Sequence, residues 1–297
     1  MKKKTETESA KKSAHSKKSR KWLLAAIICV AAAAALIWHG NRIPETTRIT
    51  VASERVPESF DGFEIAQVSD LHGAELGRDN SRVLDALRQS APDIIAVTGD
   101  LVDSGRPDVT AAISFIREAA KIAPVYYITG NHEAARRDYA AIEAAVSDAG
   151  ATVLRNEGQD IEAGGEAITI AGVDDPGFVP STDAAALNRA IDAGISKALG
   201  GGESYTVLLS HRPELFQRYV SAGVDLALCG HAHGGLVRLP FVGGLIAPGQ
   251  GLFPAYDSGL YSEGDTDMVV SRGVGNSGFF FRVNDPPEIM IVTLSRK

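Results

Sequence analysis

Cysteine is almost absent from this chain: only Cys29 and Cys229 occur among its 297 residues. Two thiols imply no disulfide framework, so cysteine usage says nothing of the compartment. Cys229 ends a strand-like run, where a small buried core residue is a better reading than a metal ligand. Positive charge is scarce too, once the first residues are set aside. Residues 1–21 hold nine Lys/Arg against Glu6 and Glu8. Taking these from totals of 30 basic and 37 acidic residues leaves 21 against 35, a net −14 beyond residue 38. Such a body repels polyphosphate backbones and excludes DNA or RNA as an expected partner. No internal repeat stands out, and no Pro/Gly/Ser linker is long enough to divide the chain. One folded domain is expected.

The N-terminus is the exception to both statements about charge. Residues 1–21 are rich in Lys, Ser, Thr and Glu and are expected to be a disordered, basic tail. Trp22 to Trp38 is an uninterrupted apolar run without charge. At 1.5 Å rise per residue it spans about 25 Å, near the lower limit for a bilayer core, and Trp at both ends suits the two interfaces. Leu36-Ile37-Trp38 follows the alanines with no clear small-x-small cleavage site, so an uncleaved anchor is preferred to a signal peptide. Nine basic residues precede the run, while Arg42, Arg48 and Arg55 follow it. That bias places the N-terminus in the cytoplasm and the body outside it, a single-pass cell-membrane topology. Ser19-Arg20-Lys21 resembles a twin-arginine signal only loosely, because Lys holds the second position. Residues 39–47, with Pro44, are read as a linker and 48–297 as the folded body.

Within the body, strand-like and helix-like patterns alternate. Asn80–Ser90, Asp108–Ile122, Asp138–Ala149 and Thr182–Leu199 have helical spacing, the third with Gly150 as its stop. After residue 235 helical periodicity disappears, and short strands are expected at Val237–Leu239, Met268–Ser271 and Glu288–Leu294. The class is α/β for two-thirds of the body and mostly β at the end. Five polar patches each follow a short apolar run: Asp70-Leu71-His72, Gly99-Asp100, Gly130-Asn131-His132-Glu133, His211, and Gly230-His231-Ala232-His233-Gly234-Gly235. Such runs read as buried strands, and open α/β sheets gather ligands beyond their strands' carboxyl ends. Asp, Asn and His without a thiolate favour hard-to-borderline divalent ions: Mn, Fe, Zn or Mg. Each patch alone is weak; five in register point to a metal site.

The order of those patches resembles the calcineurin-like metallophosphoesterases over residues 63 to 235. Pro248–Pro254 and Ser271–Ser277 resemble that family's bacterial membrane-anchored branch (YkuE- and YaeI-like). The resemblance implies a two-sheet β-sandwich flanked by helices, α/β/β/α, with a dinuclear centre at the sheet edge. By motif position, one ion takes Asp70, His72 and His233, the second takes Asn131, His211 and His231, and Asp100 bridges them. It implies manganese as the favoured metal and attack on phosphorus by a metal-bridged hydroxide. His132 is then the general acid, and Glu133 orients it through a hydrogen bond. The expected activity is cleavage of a phosphodiester or pyrophosphate bond, with a lipid-linked or cell-envelope phosphoester as candidate substrate. A phosphomonoesterase on the same scaffold is the alternative, and a non-catalytic metal-bound adaptor a third, disfavoured by the complete ligand set.

Four further features stay open. Arg212 reads either as a phosphate contact or as a surface residue capping a helix at Pro213. Asp174-Asp175, after the strand ending at Val173, reads as a solvated turn, with support of the site residues from behind as the alternative. Leu239, Phe241, Leu245, Phe253, Tyr256 and Tyr261 read as aromatics and aliphatics closing the β-rich end, with acyl-chain or bilayer contact as the alternative. Phe279-Phe280-Phe281 carries the same ambiguity.

Overall fold

The computed structural model describes residues 22–24, 26–28, 30–31, 35, 38, 40–276 and 282–297. The basic tail and the Phe279–Phe281 cluster lie outside the described residues, as does part of the 22–38 run. The described large residues of that run, among them Trp22, Leu23, Ile27, Ile28 and Trp38, are helical and exposed. Among the described residues no helix is long and apolar enough to cross a membrane.

Alternation of side chains along short apolar strands builds the body. One six-stranded sheet runs, in spatial order, Glu45–Ser53, Glu288–Arg296, Glu64–Val68, Ile94–Thr98, Val125–Ile128 and Ala151–Val153. Its last four strands are mutually parallel. The second sheet runs Gly259–Glu263, Thr266–Val270, Leu226–Cys229, Tyr205–Leu209, Glu166–Gly172 and Glu157–Ala163, with the middle four parallel. Ile65, Ile94, Ala96 and Ile128 of the first sheet meet Ile170, Val207, Leu209 and Leu228 of the second in one buried layer. The residues between them face outward: Ala66, Ile95 and Val97 under helices Ser81–Ser90, Thr110–Ala119 and Tyr139–Asp148, and Leu208, Ala227 and Cys229 under Ala184–Leu199 and Phe216–Ala222. A period of two on strands buried on both faces gives this four-layer α/β/β/α sandwich.

The expected elements occupy these places, with their ends moved by a few residues. The linker boundary needs correction. Glu45 already pairs in parallel with Glu288, so the last three residues of 39–47 belong to an edge strand. Asn41 is held as well, donating to the Arg282 carbonyl at 2.9 Å and accepting the Arg282 amide at 2.6 Å. Strand Glu157–Ala163 had no apolar run to announce it. It reads Glu-Gly-Gln-Asp-Ile-Glu-Ala on an exposed sheet edge, where pairing to Glu166–Gly172 supplies the stability.

Candidate metal centre

Parallel strands of both sheets deliver the five patches to one end of the sandwich. Backbone bonds continue past the strand ends: Asp70 N to Gly99 O at 3.1 Å, His72 N to Asp100 O at 2.9 Å, and Gly230 N to His211 O at 3.2 Å. The sheets are joined there by the His231 amide, which donates to both Asp70 carboxylate oxygens at 3.1–3.2 Å. Gln67 adds a second cross-link, its Nε2 donating to Thr98 Oγ1 at 3.0 Å and to the Cys229 carbonyl at 2.8 Å. Gln67 was visible as a polar residue inside an apolar strand, but its role needed the second sheet.

Asp70, His72, Asp100, His231 and His233 all have positive φ, between 48° and 66°. Each costs of order 1–3 kcal/mol for a side chain with a Cβ, and such strain gathers where chemistry requires a backbone position. The side chains converge. His233 Nε2 lies 3.4 Å from Asp70 Oδ1 and 3.2 Å from His72 Nε2. Across the centre, His211 Nε2 lies 3.2 Å and His72 Nε2 3.7 Å from Asp100 Oδ2. Three donor groups result: Asp70–His72–His233 and Asp100–His211–His231 are fully buried, and His72–Asp103–His132 is half-buried at the mouth. Asn131 opens the helix Asn131–Ala134 on the same rim, and its buried Oδ1 has no hydrogen-bond partner.

These donors fit divalent cations on their own chemistry. Two imidazole nitrogens 3.2 Å apart are at the separation expected of ligands sharing one ion at about 2.1 Å. His211 Nδ1 donates to the Thr98 carbonyl at 2.8 Å, which leaves its Nε2 lone pair facing the centre. That Nε2 and Asn131 Oδ1 are buried without hydrogen bonds. Burial pulls His72 down to about 3 and His231 to about 2, and lowers His233 too, so these three are neutral donors. Burial also opposes charge on His211, but Asp100 and Asp70 outweigh it and lift that imidazole to about 10. Burial likewise raises Asp70, while for Asp100 it is outweighed by His211 and His72, which hold that carboxylate ionised.

Glu133 corrects an expectation. It does not orient His132: its Oε2 accepts from the Asp100 and Gly130 amides at 2.9 and 2.8 Å, and its Oε1 from Val102 at 3.0 Å. Glu133 is fully buried and fixes the Asp100 loop. His132 is oriented by Ser104 instead, whose amide donates to Nδ1 at 2.9 Å. Nδ1 is therefore an acceptor and the neutral ring carries its proton on Nε2, 4.0 Å from Asp100 Oδ2. Asp174-Asp175 is not a solvated turn either. Asp175 is buried and bonded by both carboxylate oxygens to Arg212, while Arg212 Nη1 stands 2.9 Å from His231 Nε2. Arg282, fully buried, reaches His233 Nδ1 at 3.2 Å. An isolated Arg in a Gly/Pro-rich stretch carries no sequence signal for such a role.

Gly99 shows how little room the strand ends leave. Its φ is +87°, and a Cβ there would stand 2.9 Å from the Gly130 backbone and 2.7 Å from His211 Nδ1. Gly99→Ala is expected to cost about 2–3 kcal/mol, lowering the melting temperature by roughly 5–10 °C. A melting temperature within about 2 °C of wild type would show that the loop yields.

A family profile described as "Calcineurin-like phosphoesterase" matches residues 63–235. The "Uncharacterized metallophosphoesterase YkuE" of Bacillus subtilis is 33% identical over 257 residues, covering 84% of this chain and 85% of that protein. An "Uncharacterized metallophosphoesterase" of Aquifex aeolicus is 29% identical, covering 84% and 91%. A Danio rerio "Transmembrane protein with metallophosphoesterase domain" is 27% identical, covering 98% of this chain and 66% of that protein.

Proposed function

The chain belongs to the calcineurin-like phosphoesterase family, a metal-dependent hydrolase, and from that premise we propose a two-ion enzyme cleaving a phosphodiester or pyrophosphate bond at a membrane surface. The observation that supports the two-ion reading is the pair of buried donor triads, Asp70–His72–His233 and Asp100–His211–His231, with Asp100 of the second also 3.7 Å from His72 of the first. In this reading Asp70, His72 and His233 hold one ion, Asn131, His211 and His231 hold the other, and Asp100 serves both. Divalent ions bound there supply Lewis acidity to a phosphoryl oxygen and make water available as a nucleophile at neutral pH. Mixed carboxylate, amide and imidazole donors suit manganese well.

The chain's own residues do the rest. His132, the least enclosed of these imidazoles, presents Nε2–H at the mouth of the site, where it donates a proton to the leaving oxygen. Ser104 keeps the ring in that tautomer. Glu133 holds Asp100, Val102 and Gly130 in place by accepting their amides. Arg212, braced on Asp175, stands beside His231 at the rim of the site.

Metal removal tests this directly. Chelator-treated protein is expected to lose all measurable hydrolysis of bis-p-nitrophenyl phosphate, and manganese is expected to restore it. Since the ions bind only the folded chain, manganese at about 100-fold its dissociation constant also stabilises it by about 2.7 kcal/mol, visible as a higher melting temperature. Hydrolysis that persists after complete metal removal would reject the reading.

The membrane address rests on the apolar run ending at Trp38 and on exposed side chains. Tyr256 and Tyr261 pack on the core as expected, but Phe241, Val242, Leu252 and Phe253 project into solvent. The segment that carries them passes beside the site: a Cβ at Gly249 would stand 3.7 Å from His231 Nε2. An amphiphilic, lipid-linked phosphoester suits that arrangement. With the body outside the cytoplasm, a C-terminal alkaline phosphatase fusion is expected to be active in intact cells; an inactive, stably expressed fusion would reverse the topology.

A further inference from the structure

A cavity of about 680 Å³ lies between the residues that follow the apolar run and the rim of the metal centre, and three arginines line it: Arg42, Arg82 and Arg106. Their lack of acidic partners sets them apart. The body carries a large acidic excess, and its arginines near the site are committed to carboxylates: Arg155 to Asp174 and Glu143, Arg212 to Asp175, Arg272 to Glu288. Among the described residues, none of the three cavity arginines makes an ion pair; their partners are backbone carbonyls and one ring. Arg82 Nη1 donates to the Arg42 carbonyl at 2.5 Å, Arg106 Nη1 to the His72 carbonyl at 3.3 Å, and the Arg42 guanidinium lies 4.0 Å over the Trp38 ring. Two carboxylates, Glu75 and Asp103, share the lining but neither pairs with the arginines, so three guanidinium groups face two acids and the concavity keeps a net positive charge suited to an anion.

The cavity also adjoins the metal centre. Its wall includes Asp103, Gly105 and Arg106, the same turn whose Ser104 amide holds His132 Nδ1. Arg106, on that turn, also donates to the carbonyl of His72, so a substrate held at the centre and extending past His132 reaches the arginines. We infer that the cavity is a second anion subsite, taking a phosphate group carried by the leaving portion of the substrate. The inference rests on the phosphoesterase reading for the identity of the anion's carrier. It narrows the substrate class to phosphoesters or diphosphates bearing a further phosphate. That phosphate can belong to a soluble diphosphate or to a phospholipid headgroup; the recognising chemistry is the same.

The test uses the full chain, because Arg42 and the Trp38 ring form part of the wall. In metal-stripped protein, where the metal centre no longer attracts anions through its ions, calorimetric titration with inorganic pyrophosphate and with glycerophosphoglycerol is expected to show saturable binding of at least one. Arg42→Gln/Arg82→Gln should weaken that binding by about tenfold or more, and the charge-keeping Arg82→Lys by no more than about twofold. Binding of pyrophosphate alone assigns the subsite to soluble diphosphates, and of glycerophosphoglycerol alone to lipid headgroups. With manganese restored, the enzyme's preference for a diphosphate ester over bis-p-nitrophenyl phosphate should fall by about tenfold in the double variant. Absence of binding for both probes, or equal binding by a double variant that melts with wild type, overturns the subsite. Anion binding that follows the arginines in a protein without any hydrolytic turnover would instead overturn the phosphoesterase reading and leave the anion site standing.

Discussion

Asp100→Ala is expected to lower kcat/KM for bis-p-nitrophenyl phosphate by about 1000-fold or more at saturating manganese, a loss of roughly 4 kcal/mol of transition-state stabilisation. The size of the effect comes from the number of groups that depend on one carboxylate. Its Oδ2 is within 3.2 Å of His211 Nε2, 3.7 Å of His72 Nε2 and 4.0 Å of His132 Nε2. Its Oδ1 accepts the His132 amide at 2.8 Å and so anchors the start of the His132 helix. Alanine removes both functions at once, and Asp100→Asn separates them. The isostere can keep the acceptor for His132 N while losing the negative charge that faces His211 and His72. Loss of activity comparable to alanine, in protein that melts close to wild type, would assign the effect to charge. A variant retaining more than a tenth of wild-type turnover would show that the two ions are not coupled through this residue.

The seven residues named as ligands from the sequence are brought to one end of the sandwich, and the reason is the regularity of the strands that carry them. Ile65–Val68, Ile94–Val97 and Val207–Leu209 are short, apolar and buried on both faces, so their length and their exit point are nearly fixed by composition. The polar residues just past each exit were legible because Asp, Asn and His beside Gly have few structural reasons to stand there. The supporting residues were less legible. Glu133 sits next to His132 in sequence, which suggested a contact between them, but on the first turn of a helix its side chain turns back to unpaired backbone amides. Arg282 and Asp175 depend on contacts across 49 and 37 residues, and no local pattern encodes such a separation. The exposed Phe241 and Phe253 follow the same logic in reverse. Aromatics in a Gly-rich stretch read as core, yet among the described residues the short hairpins at Arg238–Gly244 and Ile246–Leu252 join neither six-stranded sheet and leave those rings in solvent.

The second large effect concerns His132 and depends on what leaves. For a phosphodiester of an aliphatic alcohol, His132→Ala is expected to lower kcat by about 100- to 10,000-fold, the range for loss of a positioned general acid. For bis-p-nitrophenyl phosphate the loss should be at most about tenfold, because nitrophenolate departs without needing a proton. The asymmetry follows from the ring's hydrogen bonds. With Nδ1 accepting from Ser104 N, the neutral imidazole holds its only proton on Nε2, on the side of Asp100 and the centre. A ligand's loss would instead depress both substrates together and lower metal content. Plotting log kcat against leaving-group pKa for wild type and variant therefore reads the role directly: the variant's slope should be the steeper one. Parallel slopes, with metal content unchanged, would remove His132 from the proton transfer and leave it as a binding residue.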